Sequence, residues 1–294
     1  MTLRVTVDIY SGRPNPTIEL DDRQSAELLD RLAPDRRLDD TEAVPPTEPV
    51  LGYRGVEIEQ ISDADAALPR TFRLAGGQVH GRGLAHATRD AAVEEWLLGG
   101  DGPLRDRLDV DTEFFDLADA GRLSLAEKFS PVLLDPHIHV LFPAPCACSP
   151  LYEPAWWNVP GRQPYNNCYN YATNYRTNTF AQPGQAAGAQ YTQLTSASVR
   201  PAALADELID GGTATYSTCP AEGHLVALVI WPGSDYHWYR RGRNGWWSHK
   251  PGGTAVTNVD NSNHAITNPE TADRGGYTEF AGYFVVMHGH VMIK

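Results

Sequence analysis

The sequence predicts an α+β protein: a small N-terminal α/β domain, then a C-terminal domain whose cysteine-bearing helix packs on an antiparallel sheet. Three observations carry that expectation. Leu3, Val5, Val7 and Ile9 alternate with Arg4, Thr6 and Asp8, the period of a half-buried strand, and helical runs follow. Eight prolines from Pro131 to Pro164 make a continuous regular element improbable there and separate the two halves. From Leu225 onward, apolar runs and hairpin signals succeed one another as in an antiparallel meander. The expected boundaries are 1–130 for an accessory or docking domain, 131–165 for a Pro-rich linker and 166–294 for the C-terminal domain.

Composition bounds the function. Hydrophobic residues make up 41% of the 294, enough for a sizeable core. Against 24 Lys and Arg stand 37 Asp and Glu, a net charge of −13, so nucleic acid and anionic membranes are poor partners. Met1 to Tyr10 lacks the unbroken apolar stretch of a signal peptide, and no run is long enough to span a membrane. The four cysteines, Cys146, Cys148, Cys168 and Cys219, are too few for a disulfide-built scaffold of this size. They read as thiols of a reducing cytoplasm.

In the N-terminal half, Ser11-Gly12-Arg13-Pro14-Asn15-Pro16 is a loop and Thr17 to Leu20 a short strand. Asp21 or Asp22 caps a helix carrying Ala26, Leu28, Leu29 and Leu32. A Pro-rich connector over 35–49 and a strand over 52–61 follow. Phe72 to His80 reads as a strand interrupted at Gly76-Gly77, Thr88 as the cap of a helix closed by Gly99-Gly100, and 111–120 as a helix stopped by Gly121. His80 and His86 stand isolated. His137 and His139 share one face of an extended segment, and with Cys146 and Cys148 they offer zinc-type ligands. The Cys-x-Cys spacing is wrong for a zinc knuckle, so loop thiols or a redox-sensitive pair are the alternatives, and no cofactor is implied.

Chemistry concentrates around Cys168. It follows Asn166 and Asn167 and opens a helical run, so backbone N–H groups and the positive helix end face its sulfur. Such a setting favours the thiolate, and the neighbouring amides could donate to an oxyanion. Arg200 to Ile209 is a further helix. Leu225 to Trp231 is an apolar strand, and Asp235 to Arg240 is a second, with His237 and Tyr239 on one face. Gly242 to Gly245 turns the chain into Trp246-Trp247-Ser248-His249-Lys250, and Phe280 to Met287 is the last strand. This order allows Cys168 as nucleophile, His237 as base and His249 as its orienting partner. Asp235 is a second orienting group, Asn167 an amide donor and His224 a competing base. Taken singly, each histidine is a polar strand residue.

A helix-borne Cys, then a strand His, then a polar residue on the next strand resembles the papain-like thiol hydrolases of NlpC and CHAP type. Asn167-Cys168-Tyr169-Asn170-Tyr171-Ala172 and Gly223-His224-Leu225-Val226-Ala227 are similar to the Cys-helix start and Gly-His-Val strand of CHAP-type proteins. The Cys-Tyr-Asn-Tyr-Ala, Phe-Ala-Gln-Pro-Gly, His-Trp-Tyr-Arg and Trp-Ser-His-Lys-Pro-Gly blocks also resemble a group of uncharacterised bacterial and viral proteins. The nucleophile is not in the Asp-Cys-Ser context of the NlpC type. The resemblance implies a papain-like C-terminal domain and a cytoplasmic cysteine peptidase or amidase acting on a peptide or amide substrate. Two alternatives remain: a peptide- or glycan-binding protein with a platform of Trp156, Trp157, Trp238, Trp246 and Trp247, or a zinc protein. Oligomeric state is left open.

Overall fold

A computed structural model describes residues 2–32, 49–62, 68–81, 84–90, 92–100, 102–105, 107–110, 112–128 and 143–294. Residues 35–48 of the connector expected over 35–49, and the pair His137 and His139, lie outside the described residues. The chain divides into two compact units. One comprises Met1–Ile9, Asn15–Thr47 and Gly52–Pro136, the other Tyr10–Pro14, Glu48–Leu51 and His137–Lys294. No helix among the described residues is long and apolar enough to cross a membrane.

The first unit contains β1 (Leu3–Val7), β2 (Thr17–Glu19), α1 (Asp22–Leu32), β3 (Val56–Gln60), β4 (Thr71–Ala75), β5 (Gln78–Gly81), β6 (Leu84–Ala87), α2 (Val93–Leu98) and α3 (Thr112–Lys128). Its sheet has the order β2-β1-β3-β4-β5-β6, and each pairing is antiparallel. The alternation in β1 is what it promised: Leu3, Val5 and Val7 are fully buried and Arg4 and Thr6 are not. α1 starts as expected, with Asp21 Oδ1 accepting from Gln24 N–H at 2.8 Å.

Three local expectations change. Gly76 and Gly77 do not interrupt one strand; their positive φ values of 60° and 69° make the two-residue turn of the β4–β5 hairpin. Thr88 caps no helix, because its hydroxyl donates to the carbonyls of Gly77 and Asp90. Gly121 does not stop α3. A Cβ there would stand 2.5 Å from that of Tyr53, so this glycine permits a close crossing.

The second unit contains α4 (Pro154–Trp157), α5 (Cys168–Thr173), α6 (Ser196–Ala205), β7 (Ile209–Asp210), β8 (His224–Trp231), β9 (Asp235–Arg241), β10 (Trp247–His249) and β11 (Glu279–Val286). Its antiparallel sheet runs β10-β9-β8-β11-β7. β8, apolar throughout in sequence after His224, is central and buried on both faces. Register pairs Leu228 with Trp238 and Ile230 with Tyr236, which places these four side chains on one face with Val226 and Phe284. Cys168, Tyr169 and Ala172 of α5 and Val199 and Ala203 of α6 close the core over that face. Burying the Val226, Leu228, Ile230 and Phe284 side chains of that face contributes about 1.5–3 kcal/mol each. The described residues are therefore α+β with two antiparallel sheets. α6 starts and ends four residues before the expected helix, and Leu204 and Ile209 are exposed.

Candidate functional site

α5 is short because both ends are fixed by asparagine. Asn167 caps it, its side-chain oxygen accepting from the N–H groups of Tyr169 and Asn170, both at 3.1 Å, while Asn170 returns the bond. Asn174, at φ 62°, ends it in the left-handed conformation. The amide donors expected to face an oxyanion are committed elsewhere. Asn167 Nδ2 donates to the carbonyls of Gly12 and Ala181, each at 2.8 Å, and Asn166 Nδ2 donates to Arg162 O and Asn178 Oδ1.

Cys168 is fully buried. Desolvation, and then the Asp235 charge, push its thiol far above the ordinary cysteine range. The Trp238 N–H, the Ser11 hydroxyl and the Lys250 charge act in the other direction and do not prevail. The thiol is therefore protonated at neutral pH, the reverse of the activated thiolate that a helix start suggests.

The alternation of β9 sets His237 on the face opposite Trp238, and α5 packs on the Trp238 face. Thiol and imidazole are bridged by the Ser11 hydroxyl. Its Oγ lies 2.5 Å from His237 Nδ1. His237 Nε2 is 2.9 Å from His249 Nδ1, and His249 Nε2 is 3.0 Å from Val259 O. The carbonyl can only accept, so His249 donates from Nε2 and accepts at Nδ1 from His237 Nε2–H. That leaves His237 Nδ1 to accept the Ser11 proton. The pairing of His237 with His249 across the hairpin was legible in sequence; Ser11, sitting in what reads as a plain turn, was not.

Asp235, a second orienting group in the sequence reading, bonds the loop that carries Ser11. Its carboxylate accepts from the backbone N–H groups of Ser11 (2.5 Å), Gly12 and Arg13 and from Tyr277 Oη (2.6 Å), so it fastens the Ser11 loop. Burial still raises its pKa. Lys250, also buried, donates to the carbonyls of Gln163, Asn166 and Gly252 at 2.5–2.8 Å. His224 lies under α5, its Nε2 2.7 Å from Ala172 O, and burial lowers its pKa to about 3.

Burial lowers the His249 pKa to about 4, against an unfolded value of about 6.5. The unfolded chain then binds the proton more readily. The stability this contributes is complete above about pH 6.5 and is lost as pH falls toward 4. Urea melts should show a falling unfolding free energy across that interval, with a smaller fall in His249→Gln. A flat profile would contradict a buried, neutral His249.

The cysteines behave unlike cytoplasmic thiols. Cys146 and Cys219 form a disulfide, with Cα atoms 5.5 Å apart. Neither is a zinc ligand, and Cys146 and Cys148 are not a redox pair with each other. Cys148 is exposed and free, its Sγ donating to Ala221 O at 3.2 Å. The tryptophan platform also dissolves, since Trp157, Trp238 and Trp247 are core residues and only Trp156 of the five is largely exposed.

No family profile and no solved structure matches the chain. It is 48% identical over 144 residues to "Insoluble matrix shell protein 1" of Ruditapes philippinarum, an alignment covering 91% of that protein and 47% of this chain. That relative, named for an insoluble shell matrix and not for a hydrolase, overturns the expectation of a cysteine peptidase or amidase. It equally overturns the cytoplasmic location, in agreement with the Cys146–Cys219 bond. On this similarity, the chain belongs to the family of insoluble matrix shell protein 1.

Proposed function

We propose that the chain is a structural constituent of an insoluble extracellular matrix. In this reading the second unit keeps a papain-like layout, a cysteine-bearing helix on an antiparallel sheet, as a scaffold. The observation that carries the proposal is the 48% identity to a matrix shell protein over nearly all of that protein's length. Two features of the chain support it. The disulfide suits an oxidising compartment. The Cys168–Ser11–His237–His249 row is buried and internally bonded, so it ties α5, the Ser11 loop and the hairpin together.

Fractionation of the producing organism tests the location. The protein should appear in the insoluble extracellular material with Cys146 joined to Cys219; recovery from the cytosol with both thiols free would refute the proposal. The scaffold role has its own check. In the native protein at neutral pH, iodoacetamide should label Cys148 and leave Cys168 unmodified until denaturant is added. Rapid native labelling of Cys168 would mean an accessible thiolate, which a packing role does not require.

A further inference from the structure

At the end of the sheet remote from the Ser11 loop, β8 begins as β11 ends, and His224 pairs with Val286. His224 is fully buried. Its Nε2 meets only a carbonyl, Ala172 O at 2.7 Å, so Nε2 carries the proton and Nδ1 carries the free lone pair. That Nδ1 is buried and has no hydrogen-bond partner among the described residues. Leaving such a group unsatisfied costs about 1–3 kcal/mol. Valine, leucine or phenylalanine would avoid that cost at a core position, so packing alone gives no account of this side chain. A histidine whose one N–H is fixed on a backbone carbonyl, with the other nitrogen bare, is the arrangement that metal-ligating histidines adopt.

The surroundings supply further donors of one chemical kind. The His288 ring stacks on His224, centroids 5.0 Å apart and planes 27° from parallel, and His288 is exposed. Met287 brings its thioether to the residue just before His224. A Cβ on Gly223 would stand 3.0 Å from Met287 Sδ and 2.3 Å from Val286 O, and Gly223 has φ +72°. Only glycine leaves that approach open. The segment carrying these side chains is held in place. Residues 287–290 form a turn closed by His290 N–H on Met287 O at 3.2 Å, and Gly289, at φ +81°, donates its N–H to Tyr175 Oη at 2.9 Å.

We propose that His224 Nδ1, the His288 imidazole and Met287 Sδ form a binding site for a soft monovalent metal ion, copper(I). The donor set selects the ion. Imidazole and thioether ligands suit copper(I), whereas calcium and magnesium require oxygen ligands. Three neutral donors also introduce no compensating negative charge, and a monovalent ion then leaves the least net charge in a buried place. Zinc sites draw on Cys, His, Asp and Glu side chains, and a thioether is not among them. Binding requires His288 to swing off the His224 ring and changes no oxidation state. The site is distinct from the Ser11 row and does not depend on the matrix assignment.

The test uses the full oxidised chain with Cys148 first blocked by iodoacetamide, titrated anaerobically with copper(I) held by bathocuproine disulfonate. The protein should withdraw one copper(I) per chain, with a change in the 15N shift of His224 Nδ1. His288→Ala and Met287→Leu, both at partly exposed positions, should each weaken binding by about 10–100-fold. His224→Gln, whose amide can still donate to Ala172 O, should abolish it while the protein stays folded. No withdrawal of copper(I), wild-type affinity in both partly exposed variants, or preference for zinc(II) over copper(I) at equal concentration would overturn the proposal.

Discussion

Alanine at both Cys146 and Cys219 should lower the unfolding free energy by about 4 kcal/mol, the loop-closure value for a cross-link spanning some 73 residues. The bond does not act alone. Cys146 N–H donates to Arg243 O at 2.9 Å, and the Arg241 guanidinium donates to Thr218 O on one side of the bridge and Ala144 O on the other, both at 3.0 Å. Arg241 therefore joins the same two segments without a covalent link, and the variant should fold with its hairpin contacts intact. The difference then comes mainly from a less restricted unfolded chain. Urea melts of oxidised wild type against the double variant measure it. A loss under about 1 kcal/mol would mean that the hydrogen-bonded contacts already confine the loop.

The parts of the fold that were legible are those fixed by local pattern. β1 and β8 follow from alternation and from an unbroken apolar run, and the start of α5 follows from Asn167 beside Cys168. What failed depended on distant partners. Thr88 looks like a cap until Gly77 takes its hydroxyl, and Gly121 looks like a stop until Tyr53 packs over it. The pairing of Cys146 with Cys219 joins residues 73 apart, and no spacing rule reaches that far.

The candidate site divides in the same way. The hairpin between β9 and β10 brings His237 to His249, and that contact could be read from the sequence. The bond from Ser11 to His237 spans 226 positions and could not. Reactivity was misread for a physical reason. A helix start lowers a thiol pKa only while the thiolate keeps some solvation, and in Cys168 complete burial outweighs the backbone donors. Asp235 shares a strand with His237, yet its hydrogen bonds go to the Ser11–Arg13 backbone and Tyr277, so sharing a face did not decide its partner.

In the first unit, Asp8→Ala should destabilise by about 3–5 kcal/mol, the cost of stranding buried charges without their partner. The Asp8 carboxylate accepts from Arg54 Nη2 at 2.7 Å and Arg54 Nε at 3.1 Å, and from Arg73 Nη1 at 2.9 Å. All three side chains are nearly inaccessible to water, with Arg54 1% and Arg73 8% exposed. Burial pushes the Asp8 carboxyl upward, but the two guanidiniums and their hydrogen bonds outweigh it and hold the group well below the ordinary carboxylate range. A depressed folded pKa gives stability that is complete above the unfolded value of about 4 and is lost as pH falls further. Asp8→Ala should therefore cost most near neutral pH and progressively less in acid. Replacing all three charges by apolar residues, as in Asp8→Leu with Arg54→Met and Arg73→Met, should cost less than the single change, because the charge then left without Arg73 is Glu57, 3.5 Å away and half-exposed to water. Urea melts of the two variants at neutral and acid pH decide this. A triple variant less stable than Asp8→Ala would show that the ion triad contributes net stability, not only a penalty when broken.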